Sequence, residues 1–268
     1  MSSRAGGDTS PDVDELLRLD FEVDPAATLG ELRHGRGDPT IRFEGDVVWR
    51  AVRMDEGPAT TRIARARDGW RVSAWGPGAA TAVAAIPRLL GSEDDPAALV
   101  LPAGKLRDLA ARSSGLRFGR TDAVWPALLP TICGQKVTSQ QAHRAYFGIL
   151  RRWGTDAPGP AGLRLPPSPE VIARLPYYEL HPVGLEQRRA VTLIRAAQAS
   201  DRLQEAASMT PAAALSRLRA VPGIGAWTAA EVARQAFGDA DAVSLGDFHV
   251  PNTVCWFLAG EPRGDDAR

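Results

Sequence analysis

The residues of this sequence best suited to chemistry are a glycine-rich turn and a carboxylate that follows it. The turn reads Val-Pro-Gly-Ile-Gly over residues 221–225 and lies between two apolar helical patterns. Pro222 cannot continue the first helix, and Gly223 and Gly225 allow positive φ while leaving their amides uncovered. Free N–H groups at a helix start bind anions, so the turn predicts a DNA phosphate site that contacts backbone and not sequence. An ordinary helix–turn–helix corner, with glycines for packing, is the alternative.

Asp247 is the candidate catalytic group. It lies between Gly246 and an apolar helical run, twenty residues after Trp227. A fixed carboxylate can stabilise a developing positive charge and can orient or deprotonate an attacking water. Gly-Asp before an apolar helix is also a normal capping signal, so an N-cap is the alternative. One carboxylate can fill both roles.

The charge distribution supports a phosphate-binding face, although the net charge is zero. Residues 115–235 contain 15 Lys and Arg against 8 Asp and Glu, and the remainder contains 17 against 24. A basic part beside an acidic part is compatible with local binding of nucleic acid. Inert surfaces can carry the same asymmetry.

Several function classes are disfavoured by the composition. No apolar run is long enough to span a membrane, and the polar, acidic start lacks the apolar core of a signal peptide. Cys133 and Cys255 are isolated, so neither an iron–sulfur cluster nor a Cys₄ zinc site is expected, and buried thiols are the simpler interpretation. Phosphate loops, dinucleotide fingerprints and metal-ligand clusters are missing, which argues against a metabolic enzyme. We expect a cytoplasmic protein that associates with the nucleoid when it binds DNA.

The surrounding elements predict two domains. We expect a disordered lead-in over residues 1–14, an α+β domain over 15–105 with an antiparallel sheet, and an all-helical domain over 106–268. Near period-2 patterns predict strands, and three- and four-residue apolar spacing predicts helices. The predicted strands are 17–23, 47–54, 60–66 and 69–76. The predicted helices are 26–34, 79–90, 123–135, 139–154, 185–199, 210–220 and 226–237, with a short one capped by Ser168 and an apolar one after Asp247.

With the turn and Asp247 in place, the sequence resembles the helix–hairpin–helix (HhH-GPD) DNA glycosylase superfamily. Its signature is this hairpin followed by a loop and an aspartate. Pro-Gly-Ile-Gly-Ala-Trp-Thr-Ala at 222–229 looks most like the 3-methyladenine DNA glycosylase II (AlkA-type) branch, and Ile-Cys-Gly-Gln-Lys-Val-Thr-Ser-Gln-Gln-Ala at 132–142 resembles that branch's minor-groove segment. The branch also places a sheet domain before its helices. The resemblance covers about residues 15–260.

The resemblance implies roles for individual residues. Asp247 is the expected catalytic carboxylate, and the expected walls of the base pocket are Trp227, Tyr146 and Trp125, for which core packing is the alternative. The wedge that fills the gap left by the flipped base is usually apolar in this branch, whereas the matching position here is Lys136, next to Gln135. Either Gln135 or Lys136 can fill the gap, and an exposed lysine at a helix start is the alternative for Lys136. The expected DNA contacts are Gln135, Lys136, Thr138, Gly223, Gly225, Thr228 and His249. The carbonyls implied to hold Na⁺ or K⁺ at the hairpin are those of Arg219, Val221 and Ile224; no other cofactor is expected.

The absence of a lysine in the hairpin helix predicts a monofunctional enzyme. Trp227 occupies the position at which bifunctional relatives form a Schiff base, and residues 137–268 contain no lysine. An aromatic wall suits an electron-poor, often cationic, alkylated purine. We therefore expect a monomeric glycosylase that flips alkylated, 3-methyladenine-like bases out of damaged double-stranded DNA and hydrolyses them off.

Two other functions stay open at this stage. A non-catalytic hairpin protein that only holds DNA or a lesion is the main alternative, and the missing lysine speaks against an 8-oxoguanine enzyme. Relatives usually continue into at least one more helix after the aspartate helix, so the resemblance also raises the expectation of a truncated C-terminus.

Overall fold

The computed structural model describes residues 10–266, and it begins with a five-stranded sheet. All neighbouring strands are antiparallel, in the order β1-β5-β4-β3-β2. The strands are β1 (Val13–Leu17), β2 (Ile41–Glu44), β3 (Val47–Met54), β4 (Gly57–Ala66) and β5 (Gly69–Trp75). Because side chains alternate along a strand, Val48, Ile63 and Val72 point to one face and form the core of this domain.

Short helices cover that face of the sheet. They are α1 (Pro25–Gly30), α2 (Ala79–Ala84) and α3 (Ile86–Leu89), and α4 (Lys105–Arg112) follows them. The Asp24 carboxylate caps α1 by accepting from the amides of Ala26 and Ala27. Residues Val83, Ile86 and Leu89 pack into the sheet core. We call residues 13–104 the sheet domain.

Residues 124–237 form a bundle built around α5. Its helices are α5 (Val124–Cys133), α6 (Ser139–Trp153), α7 (Pro169–Ala173), α8 (Gln187–Gln198), α9 (Ser200–Gln204), α10 (Pro211–Arg219) and α11 (Ala226–Phe237), with 3-10 turns at Tyr177–Val183 and Glu205–Ser208. Helix α12 (Val250–Ala259) follows the bundle and has no buried residue. Helix α5 packs against α6, α8, α9 and α11, and nine of its ten residues are buried. It thereby fixes the segment that follows it, residues 134–138, against α11. No helix within residues 10–266 is long and apolar enough to cross a bilayer.

The α+β-then-helical fold class is confirmed, and α11 matches its predicted range. The strand predicted at 17–23 is wrong, because β1 ends at Leu17 and the chain then turns so that Asp24 can cap α1. The predicted 79–90 helix is two helices, with Pro87 in the first turn of the second. The predicted lead-in is also too long, since Val13 and Asp14 pair with β5; residues 1–9 lie outside the described residues.

The helical part is not entirely helical. A two-stranded hairpin, β6 (Thr155–Asp156) and β7 (Arg164–Leu165), forms in the Pro/Gly-rich loop. The hairpin contacts the sheet domain, because the Arg164 N–H donates to the carbonyl of Pro39 (2.7 Å) and the Arg42 guanidinium donates to the carbonyl of Ala161 (2.7 Å). Sheet domain and bundle are thus joined by direct hydrogen bonds.

Candidate functional site

The hairpin between α10 and α11 has two buried apolar residues and two exposed glycines. Val221 and Ile224 are 7% and 4% exposed and anchor the turn in the bundle core, whereas Gly223 and Gly225 are exposed. Gly223 has φ +103°, and a Cβ there would collide with the Thr192 hydroxyl, so only glycine fits. Gly225 caps α11 with φ −93°, and a Cβ there would meet nothing within 4 Å. No side chain caps the first turn of α11, which leaves room for an anion at its amides.

Asp247 faces this hairpin and its two oxygens have different partners. Oδ1 accepts from the backbone N–H of His249 (2.7 Å) and of Val250 (2.9 Å) at the start of α12. Oδ2 accepts from the indole N–H of Trp227 (2.9 Å), in the first turn of α11. The carboxylate therefore caps α12 with one oxygen and is held toward the hairpin helix by the other.

These hydrogen bonds keep Asp247 charged. Partial burial raises the pKa of the Asp247 carboxyl, but hydrogen bonds from the Val250 amide, the Trp227 indole and the His249 amide lower it, and the net pKa is below its usual value. At neutral pH the group is a carboxylate. An open cleft of about 450 Å³ lies between Asp247 and residues 263–266, with Phe248, Pro251 and Asn252 on the Asp247 side.

The segment between α5 and α6 lies next to the hairpin. The Gln135 side-chain amide donates to the carbonyl of Gly223 (3.0 Å) and to the hydroxyl of Thr228 (2.9 Å). Lys136, the next residue, is exposed and has φ +54°, which is unusual outside glycine. The two wedge candidates therefore differ, because Gln135 braces the hairpin and Lys136 projects from it.

Four predicted site residues have structural positions instead. Trp125 and Tyr146 are 8% and 3% exposed and belong to the bundle core, so their assignment to a base pocket is corrected. The Trp125 indole donates to the carbonyl of Pro167 (2.9 Å), and the Tyr146 ring meets His34 of the sheet domain edge-on. Aromatic residue type alone could not show which way these rings face.

The two predicted threonine contacts both form hydrogen bonds within the protein, but Thr138 is exposed and Thr228 is buried. Thr138 forms a capping box with Gln141 at the start of α6. Thr228 is 2% exposed and accepts from Gln135, so its hydroxyl supports the hairpin from inside and is not free for DNA. His249 is exposed beside Asp247 and contacts the Phe248 ring edge-on, which leaves its imidazole accessible.

The sequence did not indicate two arginines that support the elements of the site through hydrogen bonds and ion pairs. Arg189, 6% exposed, pairs with Glu186 and donates to the carbonyl of Cys133 (2.6 Å) at the end of α5, just before Gln135. Arg234 of α11 pairs with Glu231 and with Glu31 of the sheet domain. Glu31 and Arg234 are 203 residues apart, and no local pattern signals a pair at that distance.

The carbonyls predicted to hold a monovalent cation lie at the hairpin. Arg219 ends α10 and is exposed, and the carbonyl of Val221 accepts from the Ile224 N–H (3.0 Å). A carbonyl oxygen has a second lone pair, and neutral oxygen donors suit a hard cation, so the donor set is chemically compatible with Na⁺ or K⁺. Residues 10–266 contain no cluster of three or more His, Cys, Asp or Glu side chains that could hold a metal ion.

Comparison with known proteins identifies the fold. No protein-family model and no curated protein matches the chain. Among solved structures, the 3-methyladenine DNA-glycosylase from Archaeoglobus fulgidus superposes with a TM-score of 0.77 at 21% identity, covering 94% of this chain and 89% of that one. The Clostridium acetobutylicum 8-oxoguanine glycosylase/lyase, in complex with double-stranded DNA containing cytosine opposite 8-oxoG, gives 0.68 at 10% identity and covers 95% and 89%.

The chain therefore has the helix–hairpin–helix DNA glycosylase fold. Both similarities extend over the sheet domain and the bundle, because each covers more than nine tenths of this chain.

Proposed function

We propose that this protein is a monofunctional DNA glycosylase that flips alkylated, 3-methyladenine-like bases out of double-stranded DNA and removes them by hydrolysis. The observation that carries the proposal is the Asp247 carboxylate, kept ionised and fixed 2.9 Å from the Trp227 indole at the hairpin helix. The fold shared with the A. fulgidus 3-methyladenine DNA-glycosylase supports the same class of reaction.

Asp247 would act electrostatically. When the base departs, positive charge develops on the sugar, and a fixed negative group beside it stabilises that transition state. A carboxylate has about four acceptor positions, and three are engaged by His249, Val250 and Trp227. The remaining position can face the sugar or orient the attacking water.

DNA would be held by the hairpin and the α5–α6 segment. The exposed amides around Gly223 and Gly225 suit a backbone phosphate. Lys136, exposed at positive φ, is the side chain best placed to enter the duplex and fill the gap left by the flipped base. Gln135 would keep that segment in register with the hairpin.

Trp227 supports the choice of a hydrolytic mechanism and of the base class. It occupies the hairpin-helix position where a Schiff-base lysine would stand, so water is left as the nucleophile. An indole next to a carboxylate attracts an electron-poor, cationic ring by stacking and by charge. Alkylated purines have both properties. We include in the proposal a monomeric enzyme that requires no cofactor and that can bind Na⁺ or K⁺ on the hairpin carbonyls.

The deciding experiment is base release from matched duplexes. Four oligonucleotides would carry 3-methyladenine, 7-methylguanine, hypoxanthine or 8-oxoguanine, and free base would be quantified under single-turnover conditions. We expect release of the methylated purines. Binding without release of any base would favour a non-catalytic DNA or lesion binder, and preferential release of 8-oxoguanine would contradict the proposed base class.

A further inference from the structure

A chain of polar contacts leads from the sheet domain to the loop that carries Asp247. Glu31 directly follows α1 and pairs with Arg234 of α11. The Arg234 guanidinium also donates to both carboxylate oxygens of Glu231 (3.1 and 3.0 Å), one turn back on the same helix. Glu231 accepts from the Ser244 hydroxyl, and Arg234 approaches the same hydroxyl at 3.4 Å. We call these four residues, Glu31, Arg234, Glu231 and Ser244, the relay.

The relay ends at the backbone of residues 238–249, the loop between α11 and α12 that carries Asp247 and that we call the catalytic loop. The carbonyl of Ser244 accepts from the Asp247 N–H at 3.2 Å. Besides the amides of His249 and Val250, Asp247 is held by Trp227 on its carboxylate and by Ser244 on its amide. Trp227 and Glu231 are four residues apart on α11 and so lie on one face of that helix. Both attachments therefore come from the same side of α11.

A further polar contact of the loop is made by the Gly246 N–H, which donates to the Asp266 carboxylate (2.6 Å). Apolar contacts of the loop are few. Between residues 238 and 250, Ser244 is the one buried residue, at 5% exposure. Three large apolar side chains of the loop point into solvent, Val243, Leu245 and Phe248, at 61%, 54% and 79% exposure. A segment with so few apolar contacts depends on its polar ones for a defined position.

We infer that the relay is a positioning device through which the sheet domain sets the place of the Asp247 carboxylate, with Arg234 as its central positioning residue. The inference rests on the proposed function of Asp247. Errors of about 1 Å in the placement of a catalytic group can cost roughly a hundredfold in rate. Through the relay, Glu31 of the sheet domain would influence the rate of base release and not only the packing of the two domains.

The test compares two arginines of equal exposure. Arg234 and Arg120 are each 24% exposed, and each pairs with two carboxylates, those of Arg120 being Glu93 and Asp122. The Arg120 guanidinium donates to Asp122, Glu93 and the carbonyl of Ala207, and none of these partners belongs to residues 239–250, so Arg120→Met is the control for Arg234→Met. Each variant is measured for its free energy of unfolding in urea, its affinity for duplex DNA, its single-turnover rate of base release and hydrogen exchange over residues 239–250.

We expect Arg234→Met to slow base release by about ten- to a hundredfold, with DNA affinity within about twofold and faster hydrogen exchange over residues 239–250. The control Arg120→Met should lose comparable stability and keep its rate within about threefold. Ser244→Ala should reproduce the Arg234→Met rate, and the double variant Glu31→Gln with Arg234→Met should be no slower than Arg234→Met alone.

Two results would overturn the relay: unchanged hydrogen exchange over residues 239–250 in Arg234→Met, or equal loss of rate in the Arg120 control. Failure of the proposed function looks different. In that case the wild-type protein releases no base at all, while the exchange comparison between the two arginine variants still reports on the relay.

Discussion

The indole N–H of Trp227, in the first turn of α11, donates a 2.9 Å hydrogen bond to Oδ2 of Asp247, in the loop between α11 and α12. This bond joins the two most informative features of the sequence, the glycine hairpin and the isolated aspartate. It also adds to the role proposed for Trp227, because the indole orients the carboxylate in addition to forming the proposed wall of the base pocket. A hydrogen bond to a charged acceptor contributes roughly 1.5–3 kcal/mol to stability. This is enough to keep the Trp227 indole and the Asp247 carboxylate in contact.

Removing the charge of Asp247 should abolish most of the activity. Asp247→Asn keeps an oxygen for the His249 and Val250 amides, but it places an N–H₂ group opposite the Trp227 donor and leaves the oxocarbenium unopposed. We expect single-turnover base release to fall about a thousandfold, which corresponds to roughly 4 kcal/mol of transition-state stabilisation. DNA affinity should change by less than about threefold, and stability should fall by roughly 1.5–3 kcal/mol because the Trp227 hydrogen bond to a charged acceptor is lost.

Asp239→Asn is the matched control, since Asp239 caps a turn of the same loop by accepting from the Asp241 amide. It should release base at the wild-type rate. Full activity in Asp247→Asn would reduce Asp247 to a helix cap.

The Trp227 hydrogen bond should be visible in the titration of Asp247. Trp227→Phe keeps an aromatic face and removes one of the donors that lower the carboxyl pKa. The folded-state pKa of Asp247 should therefore rise toward its ordinary value, or above it, because partial burial then counts for more. A carbon-detected NMR titration of the Asp247 carboxyl measures the change directly.

The sign of the accompanying stability effect follows from linkage. In the wild type the lowered pKa contributes stability that is present above the unfolded-state pKa and is lost as pH falls through the folded-state pKa. Trp227→Phe should lose stability above the unfolded-state pKa and show a weaker acid dependence. An unchanged carboxyl titration would mean that the indole does not hold the charged form.

Substitution of the two hairpin glycines should affect different properties, the stability of the fold at Gly223 and the affinity for DNA at Gly225. Gly223→Ala forces a positive φ and a collision with Thr192, so we expect a loss of roughly 1–3 kcal/mol in the free energy of unfolding. Gly225→Leu meets nothing within 4 Å and has an ordinary φ, so the fold should persist. Its side chain covers the amides at the start of α11 and should weaken duplex binding about tenfold, whatever the DNA sequence.

Urea unfolding and salt-dependent DNA binding distinguish the two effects. Wild-type affinity should fall steeply with added salt, because phosphate contacts release counterions. Binding that ignores both salt and Gly225→Leu would place the DNA site elsewhere.

Local patterns predicted the elements that carry the site. The period-2 pattern of β3 and the apolar spacing of α11 gave both elements their observed ranges, and the Gly223 turn and Asp247 stood out by residue type and spacing. The features that the sequence did not predict depend on contacts between residues that are far apart in the chain. Strand β2 has four residues, and a run this short carries little pattern of its own.

The relay shows why part of the site could not be predicted. Glu31, Glu231 and Arg234 resemble ordinary surface charges in the sequence, and they become a unit only after α1 has been brought against α11. The assignment of Trp125 and Tyr146 to a base pocket was wrong for a different reason. An aromatic ring near a motif can pack in a core as readily as it can line a pocket. The side-chain direction is decided by packing that neither residue's neighbours reveal.

The product of the reaction should be an abasic site in an intact strand. The chain has two lysines, Lys105 and Lys136, and no lysine stands on the hairpin helix. The Lys105 ammonium donates to the carbonyls of Phe257 (3.1 Å) and Leu258 (3.4 Å) at the end of α12, whereas Lys136 is exposed next to the hairpin. Borohydride added during turnover should trap no covalent protein–DNA adduct, because water and not an amine attacks the sugar in the proposed mechanism. Lys136→Gln should weaken duplex binding and slow release by several-fold while leaving the product unchanged. An adduct formed by the wild type and lost in Lys136→Gln would instead identify Lys136 as the nucleophile and make the enzyme bifunctional.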